Sequence, residues 1–270
     1  MSTTHVAFVT GAGRGIGAAI ARRLAHHGVA LILGARSQEA TASLTMKIRH
    51  SGGQAWPVYL DVSDPETIQE ALDLVRDLDR NLGPVDTLVN NAGIAITAPF
   101  LRHGREGGED LYLKHMATNF HGARRMIEAL APAMLERGHG RIVNIGSSAA
   151  LQGYAYAAAY VASKHALLGY SRCAALDLGR SGVTLNTICP HYVDSPMTEG
   201  TVERIVAKTG KSAEETRAFL AAQNPGGALV TEDEVAELAL ELIVGTRNGA
   251  VIELLGGGQR REVESGVANA

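Results

Sequence analysis

Short apolar runs alternate along the chain with longer stretches whose apolar positions recur at helical spacing. His5 to Val9 is one such run, and after a glycine-rich turn comes a helix with apolar Ile20, Ala21, Leu24 and Ala25. Further short runs predict strands at Ala30 to Gly34, Ala55 to Tyr59, Thr87 to Asn90, Arg141 to Ile145, Thr184 to Ile188 and Val251 to Leu255. Helices are predicted at Gln38 to His50, from Pro65 onward, at roughly Asp110 to Arg137, through Tyr160 to about Gly179, and at Thr231 to Val244. Punctuation supports the boundaries. Asp64 is a helix N-cap followed by Pro65 at the first helical position, and Thr231 to Glu234 reads as a capping box.

Strict alternation of strands and helices predicts an α/β protein, a doubly wound, seven-stranded parallel sheet with helices on both faces. In such sheets ligands bind beyond the carboxyl ends of the strands. The glycine loop, Asp61-Val62, Asn90 to Gly93, Ser147 and the loop at Pro190 all follow strand ends. They are expected to converge on one edge of the sheet although they are scattered along the chain. Two segments break the pattern. Residues 99–109 form a polar, glycine-bearing loop, and residues 194–227 form an insertion with two short helical stretches, a candidate lid over the ligand edge. Residues 1–258 are read as one domain, and residues 259–270 as a polar tail that is either disordered or laid on a neighbouring subunit.

Composition narrows the class of partner. Apolar residues make up 46% of the 270 and charged residues 20%, with a net charge of −3, which suits a globular protein and suggests neither nucleic acid nor membrane. Cys173 and Cys189 are expected to be buried, inert thiols, and no cysteine framework implies secretion. With no signal peptide and no apolar run of spanning length, the expected compartment is the cytoplasm. The histidines show no metal-ligand spacing, so no metal is expected.

Candidate chemistry lies in two places. Thr10-Gly11-Ala12-Gly13-Arg14-Gly15-Ile16-Gly17 sits between the first strand and first helix, where backbone N–H groups and a helix N-terminus can hold a phosphate. The alternative is a tight β–α turn with no ligand. Tyr160 and Lys164 are four residues apart and share a helix face. A free tyrosine titrates near ~10, an ammonium close by lowers that value, and Ser147 can offer a hydroxyl to the same oxygen. This is equipment for interconverting a carbonyl and an alcohol, although alone the pair also fits a surface tyrosine and a solvated lysine.

In order and spacing, these motifs, with Asn119, Asn186 and Pro190-x-x-Val193-x-Ser195-Pro196, resemble those of the short-chain dehydrogenase/reductase family from Val6 to Gly258. The resemblance looks closest to the 3-oxoacyl-thioester reductase branch. It implies a single Rossmann-fold domain, a nicotinamide cofactor and hydride transfer. By resemblance, Tyr160 is the general acid or base, and Lys164 holds the nicotinamide ribose and tunes Tyr160. Ser147 polarises the substrate oxygen, and Asn119 holds a water in the proton relay. Gly11, Gly13, Arg14, Gly15, Ile16 and Gly17 contact the cofactor. Asp61 and Val62 meet the adenine, Asn91, Ala92 and Gly93 line the adenosine side, and Pro190, Val193 and Ser195 meet the nicotinamide. Gln152, Tyr154, His191 and Tyr192 are expected to line the substrate pocket.

His191 stands where the family usually has glycine, either near the substrate or pointing to solvent, and Glu253 to Gly256 replaces a more usual Val-Asp-Gly-Gly run. Ala35 occupies the position of the acid that takes a ribose 2′-hydroxyl, and Arg36, Ser37 and Arg14 suit a 2′-phosphate, so NADP(H) is expected over NAD(H). A cyclic, steroid-like or sugar-derived alcohol used with NAD(H) is the second reading, and a non-catalytic cofactor-binding regulator the third. The resemblance also implies a homotetramer, or at least a homodimer.

Overall fold

The structure, a computed structural model, describes residues 5–102 and 110–264. Part of the 99–109 loop and the end of the polar tail therefore lie outside the described residues. Strands β1 (Val6–Thr10), β2 (Ala30–Ala35), β3 (Ala55–Tyr59), β4 (Thr87–Asn90), β5 (Gly140–Ile145), β6 (Val183–Pro190), β7 (Val251–Gly256) and β8 (Gln259–Val263) form one sheet in the order β3-β2-β1-β4-β5-β6-β7-β8. All neighbouring pairs are parallel except β7–β8.

Strand side chains alternate between two cores. Ala7, Val9, Leu31 and Leu33 pack under α1 (Gly15–His26), α2 (Gln38–His50) and α9 (Glu232–Val244). Val6, Phe8, Ala30 and Ile32 face the opposite layer of α3 (Pro65–Leu82), α5 (Ala123–Arg137) and α6 (Ala158–Leu178). This is the period-two alternation read twice, once on each face, and it gives the doubly wound fold. The order reverses between β1 and β4, so the carboxyl ends of these two strands flank an open crevice.

The sequence reading needs four corrections. The sheet has eight strands, because Gln259–Val263, expected in the polar tail, turns back at Gly257 and Gly258, both at positive φ, and pairs antiparallel with β7. Its side chains are mostly exposed, so no apolar alternation announced it. The single long helix expected at 110–137 is continuous but not uniform: α4 (Leu111–His115) passes through a π-helical segment, Met116–Gly122, before α5. Such wide turns are rare and concentrate at functional sites. Cys173 is exposed, and only Cys189 is buried. Of the two helical stretches expected in residues 194–227, at about 199–207 and 213–222, the first is longer, α7 (Pro196–Thr209), while the second, α8 (Ala213–Gln223), keeps its bounds to one residue, and Arg217 ties them by donating two hydrogen bonds to Glu199.

Candidate active site

A cavity of about 730 Å³ opens at the carboxyl edge of the sheet. The glycine loop forms one end of it. Gly11 and Gly15 take positive φ (65° and 63°), a region that strains any residue with a Cβ. Gly17 does not line the cavity. A Cβ there would come within 2.4 Å of the Gly11 carbonyl oxygen, so this glycine lets α1 sit tight against the loop. The N-cap of α1, Arg14, makes no side-chain capping bond, which leaves the first N–H groups of the helix free of a side-chain acceptor. That N-terminus, with Gly13, Arg14, Gly15 and Ile16 around it, fits a diphosphate.

Thr10 joins the loop to the next strand end. Its Oγ1 accepts from the N–H groups of Asn91 (3.0 Å) and Ala92 (3.1 Å), while Asn91 Nδ2 donates to the carbonyls of Thr10 and Gly11. Asn91, Ala92 and Gly93 thus form a fixed cavity wall beside Asp61 and Val62. Asp61 Oδ1 accepts from both the N–H and the hydroxyl of Ser63, and Oδ2 lies 3.8 Å from Arg36 Nη1. Arg36 is largely exposed and lines the mouth. Ser37 caps α2 by accepting from the Ala40 N–H, so its own proton stays available to a ligand.

At the other end α6 presents Tyr160 and Lys164. Lys164 is buried, and its Nζ donates to the Ile145 carbonyl oxygen at 2.8 Å. Burial pushes its pKa down to about 8. Burial also pushes Tyr160 up to about 12, opposed by a hydrogen bond with Ser147. This overturns the expectation that the ammonium would hold the phenol below its free value. Nζ is 5.9 Å from the Tyr160 ring centre. A tyrosine kept protonated is suited to giving its proton to a forming alkoxide, a far stronger base than phenolate. Ser147 Oγ accepts from the Ala149 N–H at 3.1 Å, which holds the hydroxyl beside Tyr160.

Asn119 sits in the π segment, buried and behind the cavity wall. Its Oδ1 accepts from the Ile94 N–H, and its Nδ2 donates to the Ile94 carbonyl and to Ser163 Oγ. Its side chain therefore ties the 93–96 loop to α6 and does not itself reach Lys164. His115, which the sequence reading missed, works beside it. Nε2 accepts from the Ile96 N–H at 3.0 Å, Nδ1 lies 2.6 Å from the Leu111 carbonyl oxygen, and the ring meets Tyr160 edge-on at 6.2 Å.

The remaining wall holds Tyr154, Pro190, His191, Tyr192, Val193 and Ser195. Gln152 is exposed and reaches the wall only through its Nε2, which donates to Tyr154 Oη at 2.8 Å. His191 does not point to solvent: its side chain is 3% exposed, and Nε2 pairs with Glu253 Oε1 at 2.7 Å. Glu253 and Arg261, its partner on β8, were not expected at the site. Among the described residues one group of possible metal ligands, His5, Asp86 and His139, lies together, at the amino ends of β1, β4 and β5 and so at the far edge from this cavity.

The family described as short chain dehydrogenase matches residues 5–205. A single-residue variant of actinorhodin polyketide ketoreductase, solved with NADPH, is 36% identical and superimposes with a TM-score of 0.84 over 94% of this chain and 97% of its own. The 3-oxoacyl-[acyl-carrier-protein] reductase FabG of Escherichia coli is 33% identical over 231 residues, 86% of each chain. The D-beta-hydroxybutyrate dehydrogenase of Cupriavidus necator is 32% identical over 243 residues, covering 90% of this chain and 92% of its own. Taken with the crevice, the uncapped helix and the Ser147–Tyr160–Lys164 cluster, these matches establish that the chain belongs to the short-chain dehydrogenase/reductase family, an oxidoreductase that interconverts an alcohol and a carbonyl group with a nicotinamide cofactor.

Proposed function

We propose that the protein is an NADP(H)-dependent ketoreductase acting on 3-oxoacyl-thioester-like substrates. The observation that carries the reading is the pairing of two features in one cavity. The Ser147, Tyr160 and Lys164 cluster lies at one end, and at the other β2 ends in Ala35-Arg36, with no carboxylate on that strand end to repel a 2′-phosphate. Relatives named for ketoacyl reduction, and neighbours solved with NADPH or NADP, support it.

The cofactor, when bound, supplies the hydride. Ser147 donates a hydrogen bond to the substrate carbonyl oxygen and polarises it, and Tyr160 delivers the proton to that oxygen. Lys164 binds the nicotinamide ribose and passes a proton toward Tyr160, with Asn119 holding the loop along which water refills the relay. Gly11, Gly13, Arg14, Gly15 and Ile16 seat the diphosphate; Asp61, Val62, Asn91, Ala92 and Gly93 enclose the adenosine; and Pro190, Val193 and Ser195 orient the carboxamide side. Ser195 is the N-cap of α7 and makes no side-chain capping bond, so its hydroxyl is available. Residues 194–227 close over the site as a lid.

The working assembly in this reading is a homotetramer or homodimer. Leu113 and Leu176 are exposed apolar side chains on helices, as expected of helix faces covered by a second copy. Among the described residues no helix is long and apolar enough to cross a membrane, and the cytoplasm is the compartment proposed. The test is a nicotinamide-absorbance assay of 3-oxoacyl esters, simple ketones and cyclic alcohols with both cofactors. Turnover confined to cyclic alcohols with NAD(H) would replace this reading.

A further inference from the structure

The two departures from the family pattern, His191 and Glu253, meet each other. His191 follows Pro190 at the end of β6, Glu253 lies on β7, and their side chains are 3% and 4% exposed. Glu253 Oε1 takes His191 Nε2 at 2.7 Å. Oε2 accepts from Arg261 Nε at 3.1 Å and from Nη2, and Arg261 stands directly across the β7–β8 ladder from Glu253. A buried carboxylate is tolerable only when paired this completely, and either partner without the other is costly. The two departures therefore depend on each other, and β8 supplies the cation that completes the pair.

The carboxylate settles which imidazole nitrogen does what. Nε2 must carry a proton in order to donate to Glu253. Nδ1 then faces Tyr154 Oη, at 3.5 Å. That is a long contact, but the hydroxyl is held from two other sides, by Ser148 Oγ at 2.7 Å and by Gln152 Nε2 at 2.8 Å. The Gln152 amide is exposed and can be exchanged for a ligand oxygen. An imidazole with Nε2 committed can meet the hydroxyl in either sense. Unprotonated, Nδ1 accepts the Tyr154 proton and leaves its lone pairs to a ligand hydroxyl. Protonated, Nδ1 donates and frees the Tyr154 proton for a ligand carbonyl.

We propose that Tyr154 is a second oxygen-recognising hydroxyl on the substrate wall, that His191 and Glu253 are the positioning residues that hold it there, and that the enzyme consequently selects ketones carrying a further carbonyl or hydroxyl oxygen over monofunctional ketones. This rests on the reductase reading above and names the residues that would give it a substrate preference. It also explains why a histidine replaces the glycine. The loop gives up backbone freedom and gains a buried, carboxylate-anchored contact to the wall.

The experiment measures kcat/KM with NADPH for a 3-oxoacyl ester and for the 2-alkanone of equal length, in wild type, Y154F, H191F and the double variant. We expect the wild type to prefer the oxo ester. Y154F should lower the ratio of the two kcat/KM values about tenfold, the size of one net hydrogen bond. H191F should lower the ratio similarly in wild type and have no further effect on it in the Y154F background, since it acts through that hydroxyl. Should H191F not fold, H191Q replaces it, keeping a donor for Glu253 while offering Tyr154 no ring nitrogen. A wild type that reduces both ketones equally overturns this inference alone. One inert toward both overturns the reductase reading with it. A ratio unmoved by Y154F, or lowered by H191F equally in both backgrounds, shows that the buried pair only supports the fold.

Discussion

The Lys164 ammonium and the Ile145 carbonyl oxygen are joined by a hydrogen bond of 2.8 Å, and through it the catalytic helix is fastened to the last residue of a central strand. Burial of the amine, which disfavours its charged form, lowers Lys164 from 10.5 to about 8. An amine held below its unfolded value binds its proton less in the folded state. Its contribution to stability therefore rises as pH climbs from about 8 toward the ordinary lysine value. Without added cofactor, wild type should gain melting temperature relative to K164M between pH 8 and pH 10. A difference that stays constant across that range would contradict the assignment.

Tyr160 is pushed in the opposite direction, to about 12, so its phenol stays protonated through the physiological range, as the proposed role of acid in reduction requires. Y160F keeps the ring that packs against His115 and removes the proton donor. Turnover should fall by about 10²–10⁴-fold, the usual worth of general acid catalysis, while cofactor titration by fluorescence is unchanged. Near-normal turnover would remove Tyr160 from the mechanism.

In the proposed function, cofactor choice turns on the end of β2. Arg36 lies 3.8 Å from Asp61 and is mostly exposed, a contact weak enough to be exchanged for a phosphate. Wild type should favour NADPH over NADH in kcat/KM, and A35D combined with R36A should reverse the preference. A wild type favouring NADH tenfold would show that Arg36 serves only Asp61.

Assembly is the fourth expectation. Light scattering should give two or four copies per particle at micromolar concentration, and L113E with L176E should shift the distribution toward monomer. A wild type that runs as a monomer would overturn the assembly reading.

Much of the fold was legible because strand register and core burial come from the same alternation. Gln38–His50, Ala55–Tyr59 and Thr87–Asn90 appear with the bounds expected, and Asp64 and Thr231 cap the helices their chemistry announced. The glycine loop and the Tyr160–Lys164 spacing were readable for a similar reason, since backbone approach and helix periodicity both leave local marks. What was not legible depends on distant partners. Nothing near Glu253 reveals that His191 lies opposite, nor that Arg261 returns to cover it, because the three meet only through sheet pairing. Nor does a heptad or turn residue mark the π segment that carries Asn119. The sign of the Tyr160 shift was misjudged because sequence spacing shows the neighbouring ammonium but not the burial that raises the phenol.

The strand order also bears on how the protein meets its cofactor in time. Residues from Gly11 to Ser195 reach one crevice only after β1, β4, β5 and β6 have aligned, and no short contiguous fragment holds both ends of it. A nucleotide therefore has almost nothing to grip in the unfolded chain and captures the assembled sheet alone. By mass action a ligand present at about a hundred times its dissociation constant adds about 2.7 kcal/mol to the free energy of unfolding. In a cell rich in reduced nicotinamide the cofactor would act as a folding ligand as well as a reagent, and the lifetime of the chain against proteolysis would follow the nucleotide pool.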